Sequence, residues 1–131
     1  MIINQELLDN LTIQAKASPR LRMNLDLRNT PDDKSQRMLN ALEPGMVMPI
    51  HRHRNSSETV VMIRGKAKWI YYDESGNITD TVIVEAGGEI CGISVPIGQW
   101  HNTVCLETGT VIYECKDGEW KPLGEEDIMT I

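Results

Sequence analysis

The residues of this chain best suited to chemistry are its three histidines and one nearby glutamate. His51 and His53 are two residues apart, Glu58 follows them, and His101 lies in the sequence PIGQWH. On a β-strand, residues i and i+2 point to the same face, roughly 6.5 Å apart along the strand. Two imidazoles at that spacing can converge on one metal ion, each about 2.0–2.1 Å from it. The pattern predicts a mononuclear metal site of three histidines and one carboxylate inside a β-barrel.

The elements that must position these ligands are mostly short strands. A helix is predicted at about residues 4–17, with Asn4 as its N-cap and Ser18-Pro19 at its end. From residue 21 the hydrophobic period changes from helical to alternating, which indicates strands. The predicted strands cover residues 21–27, 35–42, 47–53, 58–63, 66–72, 78–85, 90–95, 100–106 and 110–115. Turn signals every eight to twelve residues favour a sandwich or barrel, so the fold class is all-β with a short N-terminal α-helix. A jelly roll is the natural member of that class.

Length and charge limit the classes of function. The 131 residues fit a single domain spanning residues 1–131, with the barrel at about residues 20–120. A net charge of −6 argues against a nucleic-acid partner, because such binding depends on basic patches. No apolar run approaches the roughly 20 residues that span a bilayer. The N-terminus lacks the features of a signal peptide, and three cysteines, an odd number, fit free thiols. The predicted location is therefore the cytoplasm, with no membrane partner.

The segment around the first two histidines resembles the first motif of the cupin family. That motif reads Gly, five residues, His-x-His, three or four residues, Glu, six residues, Gly. Gly45, His51, His53, Glu58 and Gly65 fit it at every position, with four residues between His53 and Glu58.

The segment around the third histidine resembles the centre of the second cupin motif. Pro96, Gly98 and His101 match it. Its ends do not match, because Gly92 is too close to Pro96 and Cys105 stands where the motif has asparagine. That asparagine is not a metal ligand in the family, so the departure affects the expected pocket rather than the expected metal.

The resemblance implies a double-stranded β-helix, the cupin jelly-roll barrel, with His51, His53, Glu58 and His101 as metal ligands. The whole chain looks more narrowly like the WbuC-type cupins, small bacterial proteins often associated with O-antigen (lipopolysaccharide) gene clusters. A homodimer is expected from this likeness and because open sheet edges need covering.

The predicted ligand set leaves several metals and functions open. One divalent transition metal ion is expected, and iron, manganese, nickel and zinc all suit the site. The first hypothesis is a metal-dependent enzyme, of the isomerase, epimerase or dioxygenase type, acting on a sugar or sugar nucleotide. The second is a module that binds or senses a small molecule, such as a sugar, without chemistry. The third is a scaffold with a structural metal.

Several charged residues near the motif have two interpretations. Arg52 and Arg54 alternate with the histidines, so they are expected to point away from the metal. Arg22, Asn24 and Arg37 could contact an anionic ligand, but a solvated strand face is the preferred interpretation. The tail from residue 121 is expected to be an exposed end.

Overall fold

The structure is a computed structural model and describes residues 1–130. Ile131, the last residue of the predicted domain, lies outside the described residues. One helix, α1 (Gln5–Ala17), precedes eight strands. The strands are β1 (Arg22–Asp26), β2 (Ser35–Leu42), β3 (Glu58–Arg64), β4 (Lys66–Tyr72), β5 (Ile78–Glu85), β6 (Gly92–Val95), β7 (Trp100–Cys105) and β8 (Thr110–Asp117). A short 3-10 turn, Glu125–Asp127, lies in the tail. The predicted all-β class with an N-terminal helix is therefore confirmed.

The strands form two antiparallel sheets. The larger sheet has the order β1-β2-β8-β3-β6, and the smaller one has the order β5-β4-β7. Alternating residues of both sheets point inward and bury an apolar core between them. That core consists of Leu42, Met46, Val60, Met62, Ala67, Trp69, Val84, Val95, Cys105 and Ile112. Cys105, where the second cupin motif has asparagine, is thus a packing residue whose thiol donates to the carbonyl of Glu107 at 3.2 Å.

Helix α1 covers the outer face of the larger sheet. The side chain of Asn4 accepts a hydrogen bond from the backbone N–H of Leu7, as expected for the predicted N-cap. Leu8 and Leu11 pack on Leu39, Ala41 and other residues that point outward from the sheet. Because the helix occupies this outer face, the inner face of the same sheet is left for the site. None of the helices within residues 1–130 is long and apolar enough to cross a membrane.

The prediction of a regular strand at residues 47–53 is wrong. This segment is extended, but His51 makes only isolated bridges, one to His101 and one to Ile128. Two features explain the difference. Pro49 lacks the N–H that a ladder requires, and Gly45 turns the chain with a φ of +97° just before the segment. We call residues 46–54 the histidine segment.

Most of the tail from residue 121 is exposed, as expected, but hydrogen bonds attach part of it to the histidine segment. The N–H of Arg52 donates to the carbonyl of Asp127 at 3.0 Å, and the N–H of Met129 donates to the carbonyl of Ile50 at 2.8 Å. These bonds run along the edge of the histidine segment that faces away from β7. The tail therefore packs against the segment that carries two of the three histidines.

Candidate metal centre

The three histidines meet at one point inside the barrel. Mutual backbone hydrogen bonds of 3.0 and 2.9 Å join His51 to His101 on β7. His53 follows two residues later, and its ring lies 5.1 Å from that of His51. One ring nitrogen of each histidine lies within 4.8 Å of those of the other two. This grouping can hold a metal ion. The regular strand assumed for His51 and His53 is not what brings them together.

Backbone carbonyls fix the orientation of two of the rings. The Nδ1 atom of His51 lies 2.9 Å from the carbonyl oxygen of Pro49, and that of His101 lies 2.8 Å from the carbonyl oxygen of Gln99. A carbonyl oxygen only accepts hydrogen bonds, so Nδ1 carries the proton in both rings. Each Nε2 atom therefore presents a lone pair, as metal-ligating histidines do when a second group holds the other nitrogen.

Glu58 adds a carboxylate to the histidine cluster. It begins β3, where its side chain points into the barrel, and its Oε2 atom lies 3.2 Å from Nε2 of His53 and 3.7 Å from Nε2 of His101. Burial by itself would raise the pKa of Glu58, but the contacts with His101 and His53 and the charge of Lys116 outweigh it. The pKa therefore lies well below its usual range, and the side chain is an anion at neutral pH.

The buried Nε2 atom of His53 makes no hydrogen bond, although Glu58 is only 3.2 Å away. Two donor atoms at about 2.1 Å from one ion lie roughly 3.0–3.4 Å apart, so this spacing suits two ligands of a shared metal. An orphaned nitrogen, two oriented imidazoles and an anionic carboxylate together fit a divalent transition metal.

The burial of His51 suits the same role. Desolvation, with the nearby charge of His101 as the next cause, lowers the pKa of His51 to about 4. The ring is therefore neutral at physiological pH, and no proton competes for its free nitrogen.

A second carboxyl group, which no sequence motif marks, lies beside the cluster. Glu114 on β8 is buried next to Glu58, and its Oε2 atom lies 3.7 Å from Nζ of Lys116. Burial and the charge of Glu58 raise the pKa of Glu114 well above its usual range. The inward alternation of Ile112, Glu114 and Lys116 along β8 was the one available signal.

The cluster opens into a cavity of about 920 Å³. This volume suits a small-molecule ligand. The inner face of the larger sheet, the histidine segment and the tail from Gly118 to Asp127 line the cavity. Its apolar base is the core between the sheets, so the polar groups are concentrated at one end of the barrel.

Arg52 and Arg54, which alternate with the histidines, contact the tail rather than the histidine cluster. Both line the cavity, and both donate to Oδ1 of Asp127, at 3.1 and 2.6 Å. Arg52 also lies over the ring of Trp100, 4.5 Å from the ring centroid. These two arginines hold the tail against the histidine segment.

The three residues considered for contact with an anion fall into two groups. Arg22 and Asn24 on β1 line the cavity. Arg37 on β2 does not, because its position in the strand points it to the other face, where it pairs with Asp33 at 3.2 Å. The preferred interpretation of a solvated strand face therefore holds for Asn24, which is exposed, whereas Arg22 is half-buried.

A family model matches residues 3–84, a range that includes His51, His53 and Glu58. Its description is "Domain of unknown function (DUF6016)". The chain belongs to this family. No curated protein matches the chain.

Solved structures similar to this member of the DUF6016 family share its fold. The capsular polysaccharide assembling protein CapF from Staphylococcus aureus is 20% identical, with a TM-score of 0.66 over 80% of this chain and 30% of that chain. KdgF from Halomonas sp. is 16% identical, with a TM-score of 0.62 over 79% of this chain and 84% of that chain. Oxalate decarboxylase from Bacillus subtilis, a protein with Mn(II) centres, is 24% identical, with a TM-score of 0.57 over 76% of this chain and 26% of that chain.

These structures are cupin-fold proteins, so the predicted cupin jelly-roll barrel is confirmed. The chain spans about 30% of the length of CapF, the relative with which it shares the highest of these TM-scores. The narrower likeness to WbuC-type cupins stays a prediction.

Proposed function

We propose that this DUF6016 protein is a metalloprotein in which His51, His53, His101 and Glu58 bind one divalent transition metal ion. We further propose that it acts on a sugar or sugar nucleotide of bacterial O-antigen or related surface-polysaccharide synthesis. The observation that carries the proposal is the convergence of three imidazoles and a carboxylate at the polar end of a 920 Å³ cavity. A metal used only for structure has no need of such a cavity.

The residues of the chain have distinct roles in this proposal. The three histidines and Glu58 hold the ion, which as a Lewis acid would polarise a carbonyl or hydroxyl group of the ligand. Glu114 and Lys116, which are not among the proposed ligands, place a carboxyl and an ammonium group on the same cavity wall. Their presence favours an enzyme over a module that only binds, because proton transfer needs groups that the metal does not occupy.

Two likenesses support the biological setting. The one to WbuC-type cupins is a prediction from the sequence, and the other is the fold that the chain shares with a capsular polysaccharide assembling protein. Both likenesses concern the bacterial cell surface, and the choice of a sugar ligand follows from them.

The first experiment is elemental analysis of protein purified without an affinity tag. We expect close to one transition metal ion per chain in the wild type, and its loss in His53→Ala and His101→Ala. Asn24→Ala, which alters the same cavity away from the cluster, should keep the ion. A wild type that contains no metal and takes none up on titration with Fe²⁺, Mn²⁺, Ni²⁺ and Zn²⁺ would contradict the proposal.

The second experiment separates the three kinds of function. The metal-loaded protein is titrated calorimetrically with sugars and sugar nucleotides, and each mixture is then analysed for product. Conversion that disappears with the metal indicates the enzyme. Binding without product indicates a sensor. Loss of stability on chelation without any ligand indicates a structural metal.

A homodimer is part of the same proposal. Strand β5 lies at an edge of the smaller sheet and exposes Ile78 and Ile83. Exposed sheet edges favour pairing with another chain. Light scattering coupled to size-exclusion chromatography should give twice the 14.8 kDa mass of one chain.

A further inference from the structure

The wall of the cavity formed by the start of β1 carries two arginines. Arg20 and Arg22 are two residues apart, and both line the cavity. Arg20 is exposed, whereas Arg22 is half-buried. Their side chains are close enough for the charge of Arg20 to act on Arg22. Two neighbouring positive charges at the edge of a cavity repel each other, and an anion bound between them offsets this repulsion.

Among the lysines and arginines that line the cavity within residues 1–130, three have no acidic partner in a salt bridge: Arg20, Arg22 and Lys121. Arg22 is the half-buried one, whereas the other two are exposed. The pKa of Arg22 is lowered by burial and then by the charge of Arg20, and the charge of Glu114 opposes these effects to a smaller extent. Arg52 and Arg54 pair with Asp127 at 3.1 and 2.6 Å, and Lys116 pairs with Glu114 at 3.7 Å. Partial burial of an unpaired guanidinium is unfavourable, since the lost hydration is not replaced.

A shortage of acidic residues does not explain the unpaired arginine. The chain has 19 Asp and Glu residues against 13 Lys and Arg residues. On the outer face of the neighbouring strand, Arg37 is paired with Asp33. The cavity face of β1 is therefore a place where positive charge is left uncompensated in an acidic protein.

The backbone between the two arginines is held in an uncommon conformation. Leu21 has a φ of +53°, in the left-handed region that is unfavourable for a residue with a Cβ atom. Its N–H donates to the carbonyl of Ser18, and its carbonyl accepts from the N–H of Glu43, both at 3.0 Å. Its side chain packs against the core between the sheets. Leu21 is thus fixed from three sides, and the backbone from which both flanking arginines extend has a defined position before any ligand arrives.

Amide side chains lie between the arginines and the metal centre. Asn24 pairs in register with Asn40 on β2, and both line the cavity. Gln36 lies further along β2 and opposite Lys116, next to Glu58 in the adjoining strand. Amide groups of this kind hydrogen-bond hydroxyl groups as donors and acceptors. Along the inner face of the sheet, the positively charged arginines are therefore followed by neutral amide groups and then by the histidine cluster.

We propose that Arg20 and Arg22 form an anion-binding subsite, so that the ligand is a hydroxylated small molecule carrying a carboxylate or a phosphate group. The inference rests on the proposed function in one respect, that the ligand also reaches the metal centre. The guanidinium groups bind the oxyanion through charge-assisted hydrogen bonds, and the amides of Asn24 and Asn40 contact hydroxyl groups.

Calorimetric titration of the metal-loaded protein with glucose, glucuronate and glucose 6-phosphate tests the subsite. Glucuronate represents the carboxylate and glucose 6-phosphate the phosphate, so the comparison shows which source supplies the anion. At least one of the two should bind about tenfold to a hundredfold more tightly than glucose. The advantage should shrink as salt concentration rises. Equal affinity for all three compounds, or no binding by either anion at millimolar concentrations, would overturn the proposal.

Variants assign the effect to the arginines. Arg22→Gln should remove most of the preference for the anion, and Arg22→Lys should keep part of it, because the charge remains without the forked geometry. Arg37→Gln, a matched change on the outer face of the same sheet, should bind like the wild type. Unchanged anion preference in both Arg20→Gln and Arg22→Gln contradicts the assignment, provided that circular dichroism shows folded protein.

The metal content of each variant separates this inference from the proposed function. Arg22→Gln should hold as much metal as the wild type, because the residue is not a ligand. If the wild type holds no metal but still binds the anion through Arg22, the subsite stands and the metalloprotein fails. If the wild type holds the metal and Arg22→Gln leaves the anion preference unchanged, the metalloprotein proposal stands and the proposed anion subsite fails.

Discussion

The guanidinium of Arg54 lies 2.6 Å from the carboxylate of Asp127, 73 residues later in the chain. Arg52 donates to the same oxygen at 3.1 Å. One acidic side chain thus joins the tail to the segment that carries His51 and His53.

Replacing Asp127 should loosen the tail without unfolding the barrel. Asp127→Asn keeps the volume but removes the charge that attracts both arginines. Amide hydrogens of residues 118–130 should then exchange faster, while those of β2, β3 and β8 stay as protected as before. Hydrogen–deuterium exchange followed by mass spectrometry measures both regions. Glu125→Gln, an exposed change in the same 3-10 turn, is the control and should leave exchange unchanged.

The same contact should open in acid. Burial acts to raise the pKa of Asp127, but hydrogen bonds from Arg54 and Arg52 and the charges of both outweigh it, so the pKa is lowered. A lowered pKa in the folded state means that the contribution to stability is present above the usual value of 3.8 and is lost as pH falls below it. Tail protection should therefore persist from neutral pH to about 5 and disappear below about 3.8. Asp127→Asn should show no acid transition in the tail, and a wild-type transition near neutral pH would contradict this explanation.

Glu58 should contribute to metal affinity, whereas its neighbour should not. Glu58→Gln removes the negative charge from a side chain that lies 3.2 Å from His53, so affinity for a divalent ion should fall at least about tenfold. Competition with a chromophoric chelator measures the change. Glu114→Gln, a matched substitution at an equally buried position, should keep affinity near that of the wild type. Equal affinity in Glu58→Gln and the wild type would remove Glu58 from the proposed ligand set.

Packing of α1 on the larger sheet should be a main source of stability. Leu8 is 1% exposed within the cluster under the helix, so Leu8→Ala should lower the free energy of unfolding by about 2–5 kcal/mol. Ile13 is 64% exposed on the same helix, and Ile13→Ala should change it by no more than about 0.5 kcal/mol. Urea denaturation compares the two. Similar losses in both variants would contradict burial as the cause, because alanine has a higher helix propensity than leucine or isoleucine and propensity alone would produce no loss.

The turn between β3 and β4 should tolerate only glycine. Gly65 has a φ of +90°, and a Cβ atom there would lie 2.7 Å from Cα of Thr110. Gly65→Ala should therefore be destabilised by both backbone strain and a steric clash. Gly87 has a φ of +71° but open space around it, so Gly87→Ala should show the strain alone, about 1–2 kcal/mol. Thermal denaturation should give the lower melting temperature for Gly65→Ala, and equal melting temperatures would contradict the clash.

Local sequence patterns predicted most of the fold. Alternation of apolar and polar residues located eight of the nine predicted strands, because an inner face must be apolar wherever it packs against a second sheet. The N-cap at Asn4 was found for a similar reason, since capping depends only on neighbouring residues. The prediction of a strand at residues 47–53 was wrong because the hydrogen bonds of this segment are made with His101 and the tail, which are distant in sequence.

The candidate site was predictable to the extent that its residue types are rare. With only three histidines in the chain, their spacing was informative, and the structure brings all three together. Glu114 was missed because a single glutamate in a strand has no local signal that marks it as buried. Asp127 was missed because its role depends on where the tail lies, and the tail has no periodicity from which to derive this.

The histidine segment is attached to β7 and to the tail by single bridges rather than by a continuous ladder. Isolated backbone hydrogen bonds stretch more readily than the cooperative ladder of a full strand. We therefore expect the positions of His51 and His53 to shift by fractions of an ångström. In the proposed metal centre, two ligands would lie on this segment and two on the regular strands β3 and β7, so the centre should accommodate ions of different radius. Exchange of one transition metal for another should then proceed without refolding of the barrel.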